Sequence, residues 1–167
     1  IASGKILNYE FDDTITLTSL NIPLTLSCNI PTATCKLEIT ARNIVQQANQ
    51  SVTLNNCHMG DVIKWTVSKA GYQGQNGQAQ TGYVTIDSEH PAPIAVSLEP
   101  FKYTVTITAN PSYAVVYLSA GGQSWSGIGS ITRNFDYGTT ISFYASYGGI
   151  TSDTTTAVVT ADYSNSV

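Results

Sequence analysis

Ala33-Thr34-Cys35-Lys36-Leu37-Glu38-Ile39, Gly60-Asp61-Val62-Ile63-Lys64-Trp65-Thr66-Val67-Ser68 and Ala70-Gly71-Tyr72 occur in that order along the chain. They are answered by Ala114-Val115-Val116-Tyr117-Leu118, Gly138-Thr139-Thr140-Ile141-Ser142-Phe143-Tyr144-Ala145-Ser146 and Gly148-Gly149-Ile150. Ala33 stands 27 residues before Gly60 and Ala114 stands 24 before Gly138, a difference that one small loop absorbs. A repeat that places Ala114 81 residues after Ala33 is too long for a solenoid unit and suits two small domains in tandem.

Within each copy the apolar residues alternate. Leu24, Leu26 and Cys28 interleave with Thr25, Ser27 and Asn29; Ala33, Cys35, Leu37 and Ile39 do the same beyond the Pro31-Thr32 turn. Two period-2 runs around a proline turn predict a hairpin with one buried face. Ile63, Trp65 and Val67 form a further inward set, and Val105, Ile107, Ala109, Ala114, Val116 and Leu118 repeat the pattern. Arg42 through Ser51, Gly71 through Gly82 and Gly121 through Gly127 lack it and read as polar loops. No stretch carries a helical stripe. Short strands broken by Gly and Pro predict an all-β chain of two tandem small Ig-like β-sandwiches. The divisions are an N-terminal strand segment over residues 1–20, a first unit over 21–99 and a second over 100–167.

Composition narrows the function classes. Charged residues are only 11% of the chain and the net charge is −4. With no basic stripe to neutralise phosphates, nucleic acid is not an expected partner. No apolar run reaches bilayer-spanning length. Thr, Ser, Asn, Gln and Gly supply neutral polar faces instead.

Few residues offer chemistry. Cys28 and Cys35 flank the Pro31 turn on the inward face, and Cys57 falls where the second copy has Phe135. The second copy fills the matching places with Ala109, Val116 and Phe135, so the fold does not need thiols as ligands. Two readings stay open for the pair: buried apolar side chains, or a Cys28–Cys35 disulfide. A zinc site lacks any Cys-x-x-Cys pair, and Cys57 beside His58 is an awkward spacing for shared ligation. His58 and His90 are the only histidines, and no nucleophile motif accompanies either. Asp12-Asp13, the only adjacent carboxylates, point apart on a strand or turn rather than across a cleft. No catalytic residue, cofactor or metal is therefore predicted. Exposed aromatics remain: Trp125 in a Gly/Ser stretch, Tyr147, and Tyr9 and Phe11 in the N-terminal segment are the candidate contacts for a protein partner or a glycan.

The Thr-rich strand, the proline turn, Ala114-Val115-Val116-Tyr117-Leu118 and Tyr137-Gly138-Thr139-Thr140-Ile141-Ser142-Phe143 resemble PEGA-type domains, small Ig-like sandwiches strung in tandem on bacterial surface and phage proteins. Ala33 to Leu37 and Gly60 to Tyr72 fit as well, with His58-Met59 where that family favours Pro-Tyr. The resemblance implies display outside a cell or on a particle and no catalysis. The expectation drawn from it is a non-enzymatic structural protein on the virion surface of a tailed phage: a capsid decoration, fibre or tail accessory subunit. It would be multimeric there, contact capsid or tail proteins, and be anchored through residues 1–20. The alternative is an extracellular module of a bacterial cell-surface or pilus adhesin that binds host glycans.

Overall fold

The structure, a computed structural model, describes residues 20–167. Tyr9, Phe11, the Asp12-Asp13 turn and all but the last residue of the expected anchor segment lie outside those residues.

The chain is all-β. Its strands are β1 (Ile22–Cys28), β2 (Thr34–Ile39), β3 (Ile44–Asn49), β4 (Ser51–Cys57), β5 (Val62–Ser68), β6 (Tyr72–Gly74), β7 (Thr81–Thr85), β8 (Ile94–Val96) and β9 (Leu98–Pro100). The second copy continues with β10 (Lys102–Thr108), β11 (Val115–Ala120), β12 (Gln123–Ile128), β13 (Ser130–Asp136), β14 (Thr140–Tyr147), β15 (Ile150–Thr151), β16 (Thr155–Val158) and β17 (Tyr163–Ser166). In the first copy β4-β1-β8 faces β3-β2-β5-β7; in the second β13-β10-β17 faces β12-β11-β14, with β15 and β16 both on β14. The two sandwiches share one topology. In both, the last strand runs parallel to the first, β8 on β1 and β17 on β10, while the other pairs are antiparallel.

The expected hairpin around Pro31 is not formed, because β1 and β2 belong to opposite sheets. The turn carries the chain from one layer to the other, so both runs still bury one face, against each other rather than side by side. Two polar loops are also corrected. Ile44–Asn49 and Gln123–Ile128 are strands, each at the edge of its sheet and each without a fully buried residue. A strand wet on both faces carries no alternating signal. The Gly/Gln stretch after Gly71 is likewise ordered: Gln78 accepts from the Ser97 backbone N–H at 2.8 Å and donates to the Ala95 carbonyl at 3.3 Å.

The turns repeat at the level of single hydrogen bonds. The Ala33 N–H donates to Ile30 at 3.0 Å and Ala114 to Pro111 at 3.0 Å; Gly60 donates to Ile86 and Gly138 to Val159, both at 2.8 Å. Gly60 and Gly138 share a φ of +85°, a backbone state that side chains other than hydrogen resist, which explains the glycine in both copies.

Each sandwich has its own core. Ile22, Leu24, Leu26, Leu37, Ile39 and Ile63 are fully buried in the first, and Val105, Ile107, Val116, Ile141 and Phe143 in the second. Among the described residues no polar or charged side chain is buried. Trp65, expected inside with Phe143, reaches only half-burial: its ring lies over Gly82, where an added Cβ would stand 2.6 Å from the indole. Phe143→Ala should accordingly cost about 3–5 kcal/mol and Trp65→Ala less, as chemical denaturation would measure.

All three cysteines are buried free thiols, so the structure holds Cys28 and Cys35 as apolar core residues rather than as a bridge. Burial, reinforced by neighbouring Cys28, pushes the Cys35 thiol from the usual 9.0 up to about 11. Burial, then the Asp61 charge, raises Cys57 as well. Since the folded chain holds these protons more tightly than the unfolded one, their contribution to stability is intact below pH 9.0 and falls as pH rises toward about 11. Native labelling at pH 8 should be slow at Cys35 and Cys57, and the denaturation midpoint should drop between pH 9 and 11. Fast labelling of either thiol in the folded protein would contradict this.

The sandwiches meet end to end. After β8 the chain forms β9, which pairs with β6, Gln73 opposite Glu99, before entering β10. The Phe101 N–H donates to the Gly71 carbonyl at 2.8 Å, and the Tyr137 N–H to the Phe101 carbonyl at 2.7 Å. The Tyr137 ring covers Gly71 (φ +78°) and leaves no room for a Cβ there. Its counterpart Gly149 (φ +81°) has nothing within 4 Å of a Cβ. Alanine at either glycine carries backbone strain of about 1–3 kcal/mol. Gly71→Ala should therefore destabilise more than Gly149→Ala in parallel denaturation experiments, because only the first also displaces a ring.

Candidate functional site

Alternation along β11 and β14 sends Val116, Leu118, Phe143 and Ala145 into the core and Tyr117 and Tyr144 outward. These tyrosines are direct cross-strand partners. Their rings stack 4.8 Å apart at an interplanar angle of 15°. Beside them Ser119 and Ser124 line a shallow groove of about 130 Å³. The same register pair in the first sandwich is Lys36 opposite Thr66. There Lys36 contacts Glu38 at 3.0 Å, and that hydrogen bond with the lysine charge lowers the Glu38 carboxyl below its ordinary range. One fold thus carries a cationic, hydroxylated pair on one copy and a double aromatic on the other.

A second tyrosine pair stands at the end of the second sandwich. Tyr147, at the close of β14, is 57% exposed, and its ring lies 4.6 Å from that of Tyr113. It borders an open cavity of about 320 Å³ lined by Asn110, Pro111, Ile150, Ser152 and Val167. The first sandwich has Thr32 and Lys69 at the corresponding places. Of the sequence candidates, Tyr147 is an exposed aromatic of the expected kind. Trp125 is half-buried within β12, packs edge-on to Phe135 at 5.6 Å and has the Arg133 guanidinium 6.0 Å from its ring centre. It closes the core rather than projecting from a loop. Sequence reasoning missed the Tyr117–Tyr144 stack because the partners are far apart in sequence and meet only through the register of β11 on β14.

The titratable candidates do not assemble into a reactive group. Cys57 points into the core, its thiol 3.5 Å from the Leu54 carbonyl, while neighbouring His58 turns to the surface. The Arg42 guanidinium donates to Asp61 at 2.8 Å and lies 2.9 Å from His58 Nδ1, and Asp61 also accepts the His58 backbone N–H at 2.7 Å. An arginine N–H can only donate, so the imidazole nitrogen it meets serves as acceptor beside the Arg42–Asp61 ion pair. His90 lies in an exposed loop whose local contact is its backbone N–H on Ser88 at 3.2 Å. Among the described residues no three His, Cys, Asp or Glu side chains gather as metal ligands, and no helix is long and apolar enough to cross a membrane. The chemistry on offer is contact through tyrosine faces and hydroxyls.

No protein-family model and no curated protein matches the chain, so the PEGA-type resemblance stands on its motifs alone. Several solved structures are similar, these three among them. The Bacillus anthracis TIE protein shares 14% identity at a TM-score of 0.64, over 89% of this chain and 34% of that one. A streptococcal ancillary pilin shares 10% at 0.40, over 86% and 61%. A putative polysaccharide binding protein from Bacteroides thetaiotaomicron shares 6% at 0.34, over 78% of each. This chain spans about a third of the Bacillus anthracis protein, and the likeness to it is one of fold: an all-β chain in a tandem-sandwich arrangement.

Proposed function

We propose that the chain is a non-enzymatic, extracellular module of a bacterial cell-surface protein, in which the Tyr117–Tyr144 stack binds glycans. The observation that carries the reading is the substitution of that pair for Lys36 and Thr66 at one register position of two otherwise matching sheets. Since the fold forms with either pair, packing alone does not demand two tyrosines. A rigid aromatic pair flanked by hydroxyls offers an apolar face to the C–H side of a sugar ring and donors and acceptors to its edge. Fold likeness to a bacterial chain supports this setting over a tailed-phage particle, and nothing in the geometry favours capsid or tail proteins as partners. The outer faces suit an exposed protein: Thr25 with Thr53, Thr66 with Thr81, Thr106 with Thr132 and Ser142 with Thr156 pair through hydroxyls rather than charges. Such pairs owe nothing to ionic strength.

The test transplants the first copy's residues onto the second. Tyr117→Lys with Tyr144→Thr should leave the unfolding midpoint near that of the parent chain and abolish binding on a multivalent glycan array. A single weak site of this kind is expected in the roughly millimolar range, which array avidity brings within reach. If no saccharide binds the parent chain, or the double variant binds equally well, the proposal fails.

A further inference from the structure

The exposed end of the second sandwich repeats the turn with which the first receives a second sandwich, Gly148-Gly149-Ile150 standing for Ala70-Gly71-Tyr72. We propose that it is a docking site for the base of another copy of this chain, so that the molecules associate head to tail.

In the junction inside the chain, Ala70-Gly71-Tyr72 receives the base of the second sandwich, with Tyr137 over Gly71 and Phe101 bonded to its carbonyl. The counterpart at the far end is Gly148-Gly149-Ile150. Gly149 has nearly the φ of Gly71 and open space where Tyr137 would lie. Ile150 is 77% exposed, whereas its counterpart Tyr72 packs against the first core. Among the described residues β6 pairs with β9, while β15 pairs with β14 alone. Among the described residues, the ring socket, apolar lip and strand edge of this receiving surface are all open.

The complementary surface is on the same chain. Counting back from the duplicated turns, Leu20 holds the place of Phe101 and Met59 the place of Tyr137. Both are exposed, Leu20 at 53% and Met59 at 56%, beside Val62 at 53%. A second copy arriving base-first therefore brings the apolar side chains of Leu20 and Met59 to Gly149 and Ile150. The two surfaces differ from each other. Such a contact is heterologous, leaves one free end of each kind on every oligomer and extends as an open chain. A sandwich-end contact is small, which places the association in the micromolar to millimolar range.

Sedimentation velocity on the full chain up to about 1 mM, with Ile150→Lys and Met59→Lys variants, decides the matter. Both side chains are exposed, and circular dichroism verifies that each variant is folded. The parent chain should grow with concentration through dimer to longer species, and each variant alone should remain monomeric over that range. An equimolar mixture of the two should form dimers and stop there, since each variant keeps one working end and the two ends match. A parent chain that stays monomeric overturns the proposal. So does association unmoved by either lysine, or a mixture that fails to restore dimers, which would mean like ends meet like.

Discussion

The parallel pairing of the last strand of each unit beside its first is the constraint on which the architecture depends. β8 on β1 and β17 on β10 each fill the sheet edge next to the central strand. A strand parallel to the one that began the unit must finish at the opposite end from where the chain entered. Each sandwich therefore takes in its chain at the base and releases it at the top. The next sandwich has nowhere to go but onward along the same line, over the hairpin at Gly71. Antiparallel closure would have returned the chain to the base and folded the two units back on each other. With this connection, two marginal cores of small domain size gain a direct contact through Tyr137 and Phe101 without merging.

Much of this was legible in the sequence, for a definite reason. The inward places at Ala33, Cys35, Leu37, Ala114, Val116, Leu118 and Phe143 are written in alternation, because half of each central strand is buried and half is wet. The match of Cys57 to Phe135 was legible from the distance of each to its turn glycine, and both are buried. Edge strands β3 and β12 were not legible, since their backbone pairing leaves no mark on the side chains. Nor was the sheet crossing at Pro31, because a hairpin and a layer change demand the same pattern of buried residues. At the candidate site, Tyr147 could be chosen for its exposed setting, whereas Trp125 misled because glycine and serine around it suggested a loop. The stack of Tyr117 on Tyr144 exists only across strands, and no local reading of either residue contains it.

Low charge and a thiol-bearing core have a common physical basis in the sandwich. Outer faces need polarity but not charge, and opposed threonines supply it through hydroxyl pairs whose donors and acceptors satisfy each other. Inner faces need small, well-shaped apolar groups, and Cys28, Cys35 and Cys57 serve as such beside leucine and isoleucine. The second copy reaches the same end with Ala109, Val116 and Phe135. Agreement between copies in backbone and turn bonds, with disagreement in core composition, shows that the fold specifies apolar character at these places rather than residue identity or size.

That tolerance turns the duplication into an internal control. Where both copies carry the same residue, as at Gly60 and Gly138, the backbone requires it. Where they differ inside, as at Cys57 and Phe135, packing accommodates either. Where they differ on the surface in one direction, from Lys36, Thr66, Thr32 and Lys69 to four tyrosines, neither backbone nor core accounts for the change. Each pair buries ring surface against its own partner, Tyr117 on Tyr144 and Tyr113 on Tyr147. The two pairs occupy different sites, one on the sheet face and one at the open end. The glycan proposed for the sheet face therefore accounts for one pair and leaves the other as a separate surface of the same sandwich.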